Sequence, residues 1–320
     1  MGTTTACYFG TIHVESTKIL ANIIHSLGQR AFIGKVCMDQ HSPQDYIEPS
    51  SEASVQATLD IIDHISSLNS TRITPVITPR FVPTCSSNLL RDLGALANLK
   101  NLPITSHISE TIDEIAWVKS LHPDKESYAH VYDSFGLLNA RTIMAHCIHL
   151  SDPERALVKT NQVGISHCPS SNFCLQSGVL NVRRWMLEGV DKIGLGTDVG
   201  GGYDCCILDA IRQALTASKI VHMQSKTSNS VYPPLTLEEA FYMATLGGAR
   251  VMNLQDTIGN FVKGKALDAI LVDLDHHDHP IHTFPHDSLH DKFEKFLYLG
   301  DDRHLKRVFV GGDDITCPST

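Results

Sequence analysis

The stretch "LPITSHISE", residues 102–110, is a short apolar run that ends at a histidine and has a carboxylate three residues further on. Two other stretches share the pattern: "TIMAHC" at 142–147 stops at His146, and "IGLGTD" at 193–198 stops at Asp198. Short apolar, β-branched runs bounded by polar or turn residues are typical of buried strands. The three stretches therefore predict strands that each end at a side chain capable of chemistry.

Runs of this kind recur along the chain and predict seven strands. They lie at 3–10, 31–38, 73–79, 102–107, 141–146, 163–168 and 192–197. Between them, apolar residues recur every three to four positions, which predicts amphipathic helices at 51–68, 85–99 and 236–252. Ser86 or Ser87 can cap the second of these helices, and Thr236 with Glu239 gives the third a capping box. Strands that alternate with helices indicate βα units and a parallel sheet.

The number of strands bears on the fold class. A closed (β/α)8 barrel of the TIM type has eight strands and typically about 250 residues. Residues 1–257 provide the seven predicted strands, and the first of these begins almost at Met1. We therefore expect an α/β TIM-type barrel in which residues 1–257 hold strands two to eight, with the first strand upstream of Met1.

Residues 258–320 differ in character from the barrel segment. The stretch "IGNFVKGKALDAILVDLD" at 258–275 reads as short strands with glycine turns, and a histidine-rich loop follows it. Near the end of the chain, "RVFVGGDDI" at 307–315 reads in the same way. We expect residues 258–320 to form the C-terminal half of a small β domain, with a closing helix and strand.

Composition and charge restrict the class of protein and its partners. Of the 320 residues, 42% are hydrophobic and 19% are charged, as in ordinary globular proteins. Lys and Arg number 26 against 35 Asp and Glu, and the net charge of -9 disfavours nucleic acid as a partner. The nine cysteines are odd in number and scattered, which suits reduced thiols. Without a secretory signal or an apolar run of roughly 18 residues, the sequence predicts a cytoplasmic protein with no membrane contact.

In a barrel of this type, chemistry takes place at the carboxyl ends of the strands, where side chains from separate strands converge. Imidazoles and a carboxylate are ligand types that zinc takes, and a carboxylate that does not bind the metal can move protons. The residues expected at this end of the barrel are Arg80, His107, Glu110, His146, His167 and Asp198.

Several of these features also have a simpler interpretation. A single histidine at a strand end is often a hydrogen-bonded structural residue, and "ISHCPSSN" at 165–172 can be a capped turn around His167. Arg80 can anchor a substrate through its planar guanidinium, or it can form a salt bridge at the barrel rim. The H-x-H pair in "HHDHP" at 276–280 lies in a polar loop, which we interpret as a solvated loop that binds metals adventitiously.

The motifs of dinucleotide-binding enzymes and of cytidine deaminases are both absent from the sequence. "GLGTDVGGG" at 194–202 lacks the third glycine of a dinucleotide-binding fingerprint at the required spacing. The chain has no H-x-E segment followed by P-C-x-x-C, which excludes the zinc site of the cytidine deaminases.

Eight motifs together resemble the guanine deaminase family of the amidohydrolase superfamily, and they extend over nearly the whole chain. They are "TPRF" at 78–81, "SHISE" at 106–110, "MAHC" at 144–147, "SHCPSSN" at 166–172, "GLGTDVGGGY" at 194–203, "LDAIRQA" at 208–214, "ATLGGA" at 244–249 and "KFLYLGDDR" at 295–303. The resemblance implies a hydrolase with one zinc ion per subunit that converts guanine and water to xanthine and ammonia in purine catabolism. It also implies a homodimer.

The resemblance further implies roles for individual residues, each matched to one of these motifs. The implied metal ligands are His107 and Asp198. The implied catalytic residues are Glu110 as the proton shuttle, His146 and Asp198. The implied substrate-binding residues are Arg80 and Phe81 of "TPRF", together with His107 and Glu110.

One part of the family pattern has no counterpart in this chain. The family carries two further zinc ligands as an H-x-H at the end of its first strand, closely followed by a glutamine that contacts the purine. We therefore expect residues 1–320 alone to have little activity and to aggregate. Two alternatives stay open: a related amidohydrolase that acts on another heterocycle, and a truncated, non-catalytic product that only pairs with full-length subunits.

Overall fold

The computed structural model describes residues 1–227, 231–274 and 281–316. The chain forms two compact units. The first unit is Thr5–Ser166, and the second contains Met1–Thr4 and the residues from His167 onward. The "HHDHP" motif at 276–280 lies outside the described residues.

The first unit is built on short parallel strands, and every strand predicted between residues 3 and 168 is present. They are β1 (Thr5–Phe9), β2 (Arg30–Gly34), β3 (Val36–Cys37), β4 (Ile73–Pro75), β5 (Thr78–Pro79), β6 (Ile104–Ile108), β7 (Thr142–His146) and β8 (Gly164–His167), whose last residue begins the second unit. They pair in the orders β1–β2–β4, β3–β5 and β6–β7–β8, always in parallel. The predicted βα arrangement is therefore confirmed for this unit.

Two of the predicted strands are observed as two pieces each. The run 31–38 divides into β2 and β3, and the run 73–79 divides into β4 and β5. At the break, a β-carbon on Gly34 would lie 1.8 Å from Thr78 Oγ1 and 2.6 Å from the Val76 carbonyl oxygen. The neighbouring chain segments approach here more closely than any side chain at position 34 allows, so the regular ladder is interrupted.

The helices of the first unit alternate with these strands. They are α1 (Val14–Leu27), α2 (Ser51–Ser67), α3 (Ser87–Leu99), α4 (Ile112–Leu121), α5 (Tyr128–Ser134) and α6 (Asp152–Thr160). The helices predicted at 51–68 and 85–99 are confirmed. The Ser50 hydroxyl caps α2 by accepting from Ala53 N, and the Ser86 hydroxyl caps α3 by accepting from Leu89 N, both at 3.2 Å.

Apolar faces of the helices cover the strands and form the core. Around β2, one buried cluster joins α1, α2, β2 and β4 and consists of Ala21, Ile24, Ala31, Ile33, Ile61, Ile65 and Ile73. Because parallel strands are normally covered on both faces, their sequences read as continuous apolar runs rather than as alternating patterns. This coverage explains why the strands were visible in the sequence.

The second unit combines short helices with a small antiparallel sheet. Its elements are α7 (Pro169–Cys174), α8 (Val182–Leu187), β9 (Ile193–Leu195), α9 (Ile207–Ser225), α10 (Leu237–Tyr242), α11 (Gly248–Val251), β10 (Ala269–Val272), α12 (Leu289–Leu299), β11 (Leu305–Val310) and β12 (Asp313–Asp314). The predicted capping box is confirmed, since the Thr236 hydroxyl accepts from Glu239 N at the start of α10. A π-helical turn, Met243–Gly247, separates α10 from α11 inside the segment predicted as one helix.

The C-terminal sheet corrects one sequence-based expectation. Strands β10, β11 and β12 pair antiparallel in sequence order, as a small β domain requires. Of the segment 258–275, however, only Ala269–Val272 is a strand among the described residues, and 258–268 consists of bends, a turn at 263–264 and irregular backbone. Gly259 and Gly264 both have φ near +97°, a left-handed conformation that ends extended pairing. The boundary predicted between residues 257 and 258 remains a prediction.

The longest described helix is α9, with 19 residues. No helix in the described ranges is both long and apolar enough to cross a membrane.

A buried ion pair holds the segment after β3 against α2. The Lys35 side chain is fully buried, and its ammonium donates to Glu48 Oε1 at 2.5 Å and to the Val36 carbonyl at 2.8 Å. The other carboxylate oxygen of Glu48 accepts from Met38 N at 3.0 Å and from the Ser54 hydroxyl at 2.6 Å. The pair is therefore hydrogen-bonded on both sides, which is the condition under which a buried ion pair is tolerated.

We predict that Glu48→Ala lowers the free energy of unfolding by about 3–5 kcal/mol, because it leaves the Lys35 ammonium buried without its counter-charge. Urea unfolding followed by circular dichroism measures the change. The control is Glu15→Ala, which breaks the exposed Lys18–Glu15 pair and should cost less than about 1 kcal/mol. Equal effects of the two substitutions would contradict the importance of the buried pair.

Candidate active site

Two strand-end histidines of the first unit lie against each other. The register aligns His107 with Ala145 and Ile108 with His146, so alternation along β6 and β7 would point the two imidazoles to opposite faces. His146 instead has φ +70°, a left-handed backbone that ends the alternation. The two rings are stacked with centroids 5.4 Å apart and planes 21° apart. The structure thus brings together two of the predicted site residues.

The His107 ring is oriented by the main chain of Arg80. His107 Nδ1 lies 2.7 Å from the Arg80 carbonyl oxygen. A carbonyl can only accept, so Nδ1 carries the proton and the lone pair of the ring is on Nε2. A histidine that binds a metal is typically held in this way, with one ring nitrogen donating to a carbonyl or carboxylate. His107 therefore has the form required of a metal ligand.

Glu110 lies beside the histidine pair. Its Oε2 is 3.6 Å from His146 Nε2. His146 is almost completely buried, whereas the Glu110 side chain is 21% exposed. A carboxylate at the edge of a buried imidazole cluster has both a partner for its charge and access to a small molecule, which suits proton transfer.

Arg80 and Phe81 lie directly after β5. The Arg80 guanidinium is exposed and lies 5.3 Å from the centre of the Phe81 ring. In the part of the chain that the structure describes, no carboxylate forms a salt bridge with Arg80, which favours the interpretation as a substrate anchor over a rim salt bridge. The pair offers a planar set of hydrogen-bond donors next to an aromatic face.

Sequence reasoning did not identify Trp117, which contacts this pair. The Trp117 ring meets the Phe81 ring edge to face at 6.1 Å and the His41 ring at 5.7 Å. Trp117 is on α4, which starts two residues after Glu110. The signal available in the sequence was a tryptophan on the segment that follows Glu110.

Sequence reasoning also missed a buried polar network beneath His107 and Glu110. Glu114 Oε2 accepts from the amide of Glu110 at 2.8 Å, and Glu114 Oε1 accepts from the Tyr128 hydroxyl at 2.7 Å. The Tyr132 hydroxyl lies 2.8 Å from the His107 carbonyl oxygen. The rings of Tyr128 and Tyr132 are stacked, with centroids 5.5 Å apart.

Burial changes the acidity of this network. Burial raises the pKa of the Glu114 carboxyl above its ordinary value, and the hydrogen bonds that Glu114 accepts oppose the rise. Burial also raises the pKa of both tyrosines well above the ordinary value, so both hydroxyls remain protonated and able to donate.

Asp198 and His167 belong to the second unit. Asp198 comes shortly after β9, with φ +47°, and its carbonyl accepts from Gly202 N at 2.6 Å. A β-carbon on Gly202 would lie 2.3 Å from the Thr197 carbonyl oxygen, so this turn requires a glycine. His167 is buried at the end of β8, and its carbonyl accepts from Gly196 N at 2.8 Å.

Similarity to known proteins identifies the family of this chain. The sequence model of the amidohydrolase family matches residues 1–314. The guanine deaminase of Dictyostelium discoideum is 50% identical over 314 residues, which are 98% of this chain and 68% of that protein. The guanine deaminase of Homo sapiens is 45% identical over 318 residues, covering 98% of this chain and 69% of that protein.

A solved structure gives the same result for the fold. The guanine deaminase of C. acetobutylicum, whose crystal structure has guanine bound in the active site, superposes with a TM-score of 0.89 at 39% identity. The match covers 98% of this chain and 72% of that one. The predicted α/β TIM-type barrel is therefore confirmed. The chain belongs to the amidohydrolase family and, within it, to the guanine deaminases.

Proposed function

We propose that this protein catalyses the hydrolytic deamination of guanine to xanthine and ammonia. The observation that carries the proposal is the cluster of His107, His146 and Glu110 next to Arg80 and Phe81, in a chain that belongs to the guanine deaminases. In this reaction a bond forms between the water oxygen and the ring carbon that carries the amino group, and the bond from that carbon to the amino nitrogen breaks.

We further propose that the protein holds one zinc ion per subunit, with His107 and Asp198 among its ligands. His107 supports this assignment because the Arg80 carbonyl holds its Nδ1 proton and leaves the lone pair on Nε2. Asp198 supplies a carboxylate at the end of another strand. When bound, zinc would supply an acidified water molecule as the nucleophile, since it lowers the pKa of water towards about 7.

Glu110 moves the protons of the reaction. Its carboxylate takes one proton from the attacking water and passes it to the purine ring nitrogen, and then carries the second water proton from the new hydroxyl group to the departing amino group, so that the carbonyl forms and ammonia leaves. Asp198 shares the first of these protons. His146, 3.6 Å from Glu110 Oε2, stabilises the negative charge that develops at the reacting carbon's oxygen.

Arg80 and Phe81 bind the purine. The guanidinium of Arg80 donates to the carbonyl and ring nitrogen at one edge of guanine, and Phe81 packs on the ring face. Trp117 supports Phe81 through an edge-to-face contact of the two rings. We also propose a homodimer that works in the cytoplasm in purine catabolism, with no nucleic-acid partner because the net charge is -9.

We predict that guanine is the substrate and that adenine, adenosine and an aminotriazine are not deaminated at comparable rates. The assay follows xanthine formation by absorbance in zinc-containing buffer. Preference for adenosine or the triazine would reject guanine as the substrate and favour a related amidohydrolase.

We predict that His107→Ala and Asp198→Ala each lower the zinc content of the purified protein, because each removes a ligand. Metal analysis is done in a background in which the histidines of 276–280 are replaced by alanine, so that adventitious metal is removed. His64→Ala and Asp60→Ala serve as controls, since both residues lie on α2, Asp60 exposed and His64 half-buried. Unchanged zinc content in both ligand variants would show that the assignment is wrong.

We predict that Glu110→Gln lowers turnover by about 10²-fold or more while zinc stays bound, because the amide keeps the size of the side chain but cannot carry the proton. Steady-state kinetics and metal analysis test this. The control is Glu126→Gln, an exposed carboxylate paired with His130. Near-normal turnover of Glu110→Gln would mean that another group transfers the proton.

A further inference from the structure

Buried side chains of the first unit contact the main chain of three site residues, Arg80, His107 and Glu110. The carbonyl of His107 accepts from the Tyr132 hydroxyl at 2.8 Å. The amide of Glu110 donates to Glu114 Oε2 at 2.8 Å. The Arg80 carbonyl, which orients the His107 ring, lies 3.2 Å from the Ser106 hydroxyl.

The three contacts belong to one connected network. The Ser106 and Tyr132 hydroxyls are 2.7 Å apart, and Ser106 also lies 2.7 Å from the Pro79 carbonyl. Tyr128 stacks on Tyr132 and donates to Glu114. Ser106, Glu114 and both tyrosines are buried. Three short oxygen–oxygen contacts therefore link the Pro79 carbonyl, the Ser106 hydroxyl, the Tyr132 hydroxyl and the His107 carbonyl. Each hydroxyl has one proton, so two of these three contacts can be hydrogen bonds at a time.

The segment between these contacts adopts a conformation that needs such support. Ser109, between His107 and Glu110, has φ +50°, in the left-handed region that costs a non-glycine residue on the order of 1–3 kcal/mol. Such a conformation persists only where its surroundings determine it. Here the chain is fixed before Ser109 by Tyr132 and after it by Glu114, so the turn that presents Glu110 beside His146 is held at both ends.

We propose that Ser106, Glu114, Tyr128 and Tyr132 are positioning residues for deamination, which set the distance between the His107 ring and the Glu110 carboxylate by holding the main chain of both. This inference rests on the proposed function. None of the four needs to touch the substrate. Their effect is on the geometry of proton transfer, so it falls on the rate of the chemical step more than on purine binding.

The test uses Tyr132→Phe, which removes one hydroxyl and keeps the ring that stacks on Tyr128. We expect kcat to fall about 10- to 100-fold, the range for partners that orient metal ligands, and KM to stay within about threefold. The matched control is Tyr8→Phe, which removes a hydroxyl that donates to Gln29 at 2.7 Å in the same unit. The thermal midpoints of the two variants should be similar.

Two substitutions of Glu114 distinguish the effect of its hydrogen bonds from the effect of its charge. In Glu114→Gln the amide oxygen can still accept from the Glu110 amide, and the amide nitrogen can donate to the Tyr128 oxygen. We expect Glu114→Gln to retain at least about ten times the kcat of Glu114→Ala, which loses both contacts. Equal loss in the two variants would overturn the proposal, because the charge rather than the position would then matter.

A measurement that needs neither turnover nor metal keeps this inference separate from the proposed function. Nitrogen-15 NMR of the histidine rings detects the Nδ1 proton of His107, which the Arg80 carbonyl protects from exchange. Tyr132→Phe should speed its exchange on the order of tenfold, and Tyr8→Phe should not. A wild-type protein that does not act on guanine contradicts the proposed function alone. Unchanged exchange in Tyr132→Phe, or a kcat equal to that of Tyr8→Phe, would overturn the positioning role.

Discussion

The hydrogen bond from His107 Nδ1 to the Arg80 carbonyl, 2.7 Å long, is the contact on which the rest of the site depends. It fixes the tautomer of His107 and therefore which ring nitrogen can bind a metal. The acceptor is a main-chain group, so the orientation of His107 does not use the side chain at position 80. The Arg80 guanidinium thus remains exposed to solvent, while the carbonyl of the same residue holds the histidine.

A second constraint is the backbone at the ends of the strands. Ser109, His146 and Asp198 all have positive φ, between +47° and +70°, although none is glycine. Left-handed residues of this kind are uncommon and cluster at functional sites, where the surrounding structure keeps them in place. At His146 the left-handed backbone changes the direction of the side chain. Regular alternation along β7 would place the imidazole on the face opposite His107, but the ring instead stacks on the His107 ring. A regular strand would have kept the two rings apart.

The fold was largely predictable because its strands are buried by helices and read as apolar runs. All seven predicted strands are present, and Ser86 and Thr236 cap their helices as predicted. The break within the second and third predicted strands was not predictable, since it depends on the approach of Thr78 to Gly34 in three dimensions. Of the short strands with glycine turns expected over 258–275, the described residues contain one, Ala269–Val272, because a glycine pattern alone does not distinguish a hairpin from a series of turns.

The sequence predicted the residue types of the site, but it did not predict the side chains that hold those residues in place. His107, Glu110 and His146 could be chosen because they follow apolar runs, and the structure brings these three together. Tyr128, Tyr132 and Trp117 carry no such signal, because a tyrosine or tryptophan in an amphipathic helix is ordinarily a core residue. Their contacts with the site come from helices α4 and α5, and such contacts between separate elements cannot be read from periodicity.

Glu110 and Glu114 show how environment assigns a role that spacing cannot. Both carboxylates follow His107 within seven residues, and either could be chosen from the sequence as the group that transfers protons. Glu114 is buried and accepts hydrogen bonds from the Tyr128 hydroxyl and from the amides of Glu110 and Thr111. Both oxygens of the Glu114 carboxylate therefore accept hydrogen bonds, and the bonds to Oε2 hold the main chain. Proton transfer between Glu114 and a substrate would require these hydrogen bonds to break. Glu110 is more exposed and faces His146, so it is the one that can exchange a proton with a bound molecule. Under the proposed function, the two carboxylates, four residues apart, therefore divide positioning from proton transfer: Glu114 holds the main chain of Glu110, and the Glu110 carboxylate transfers the protons.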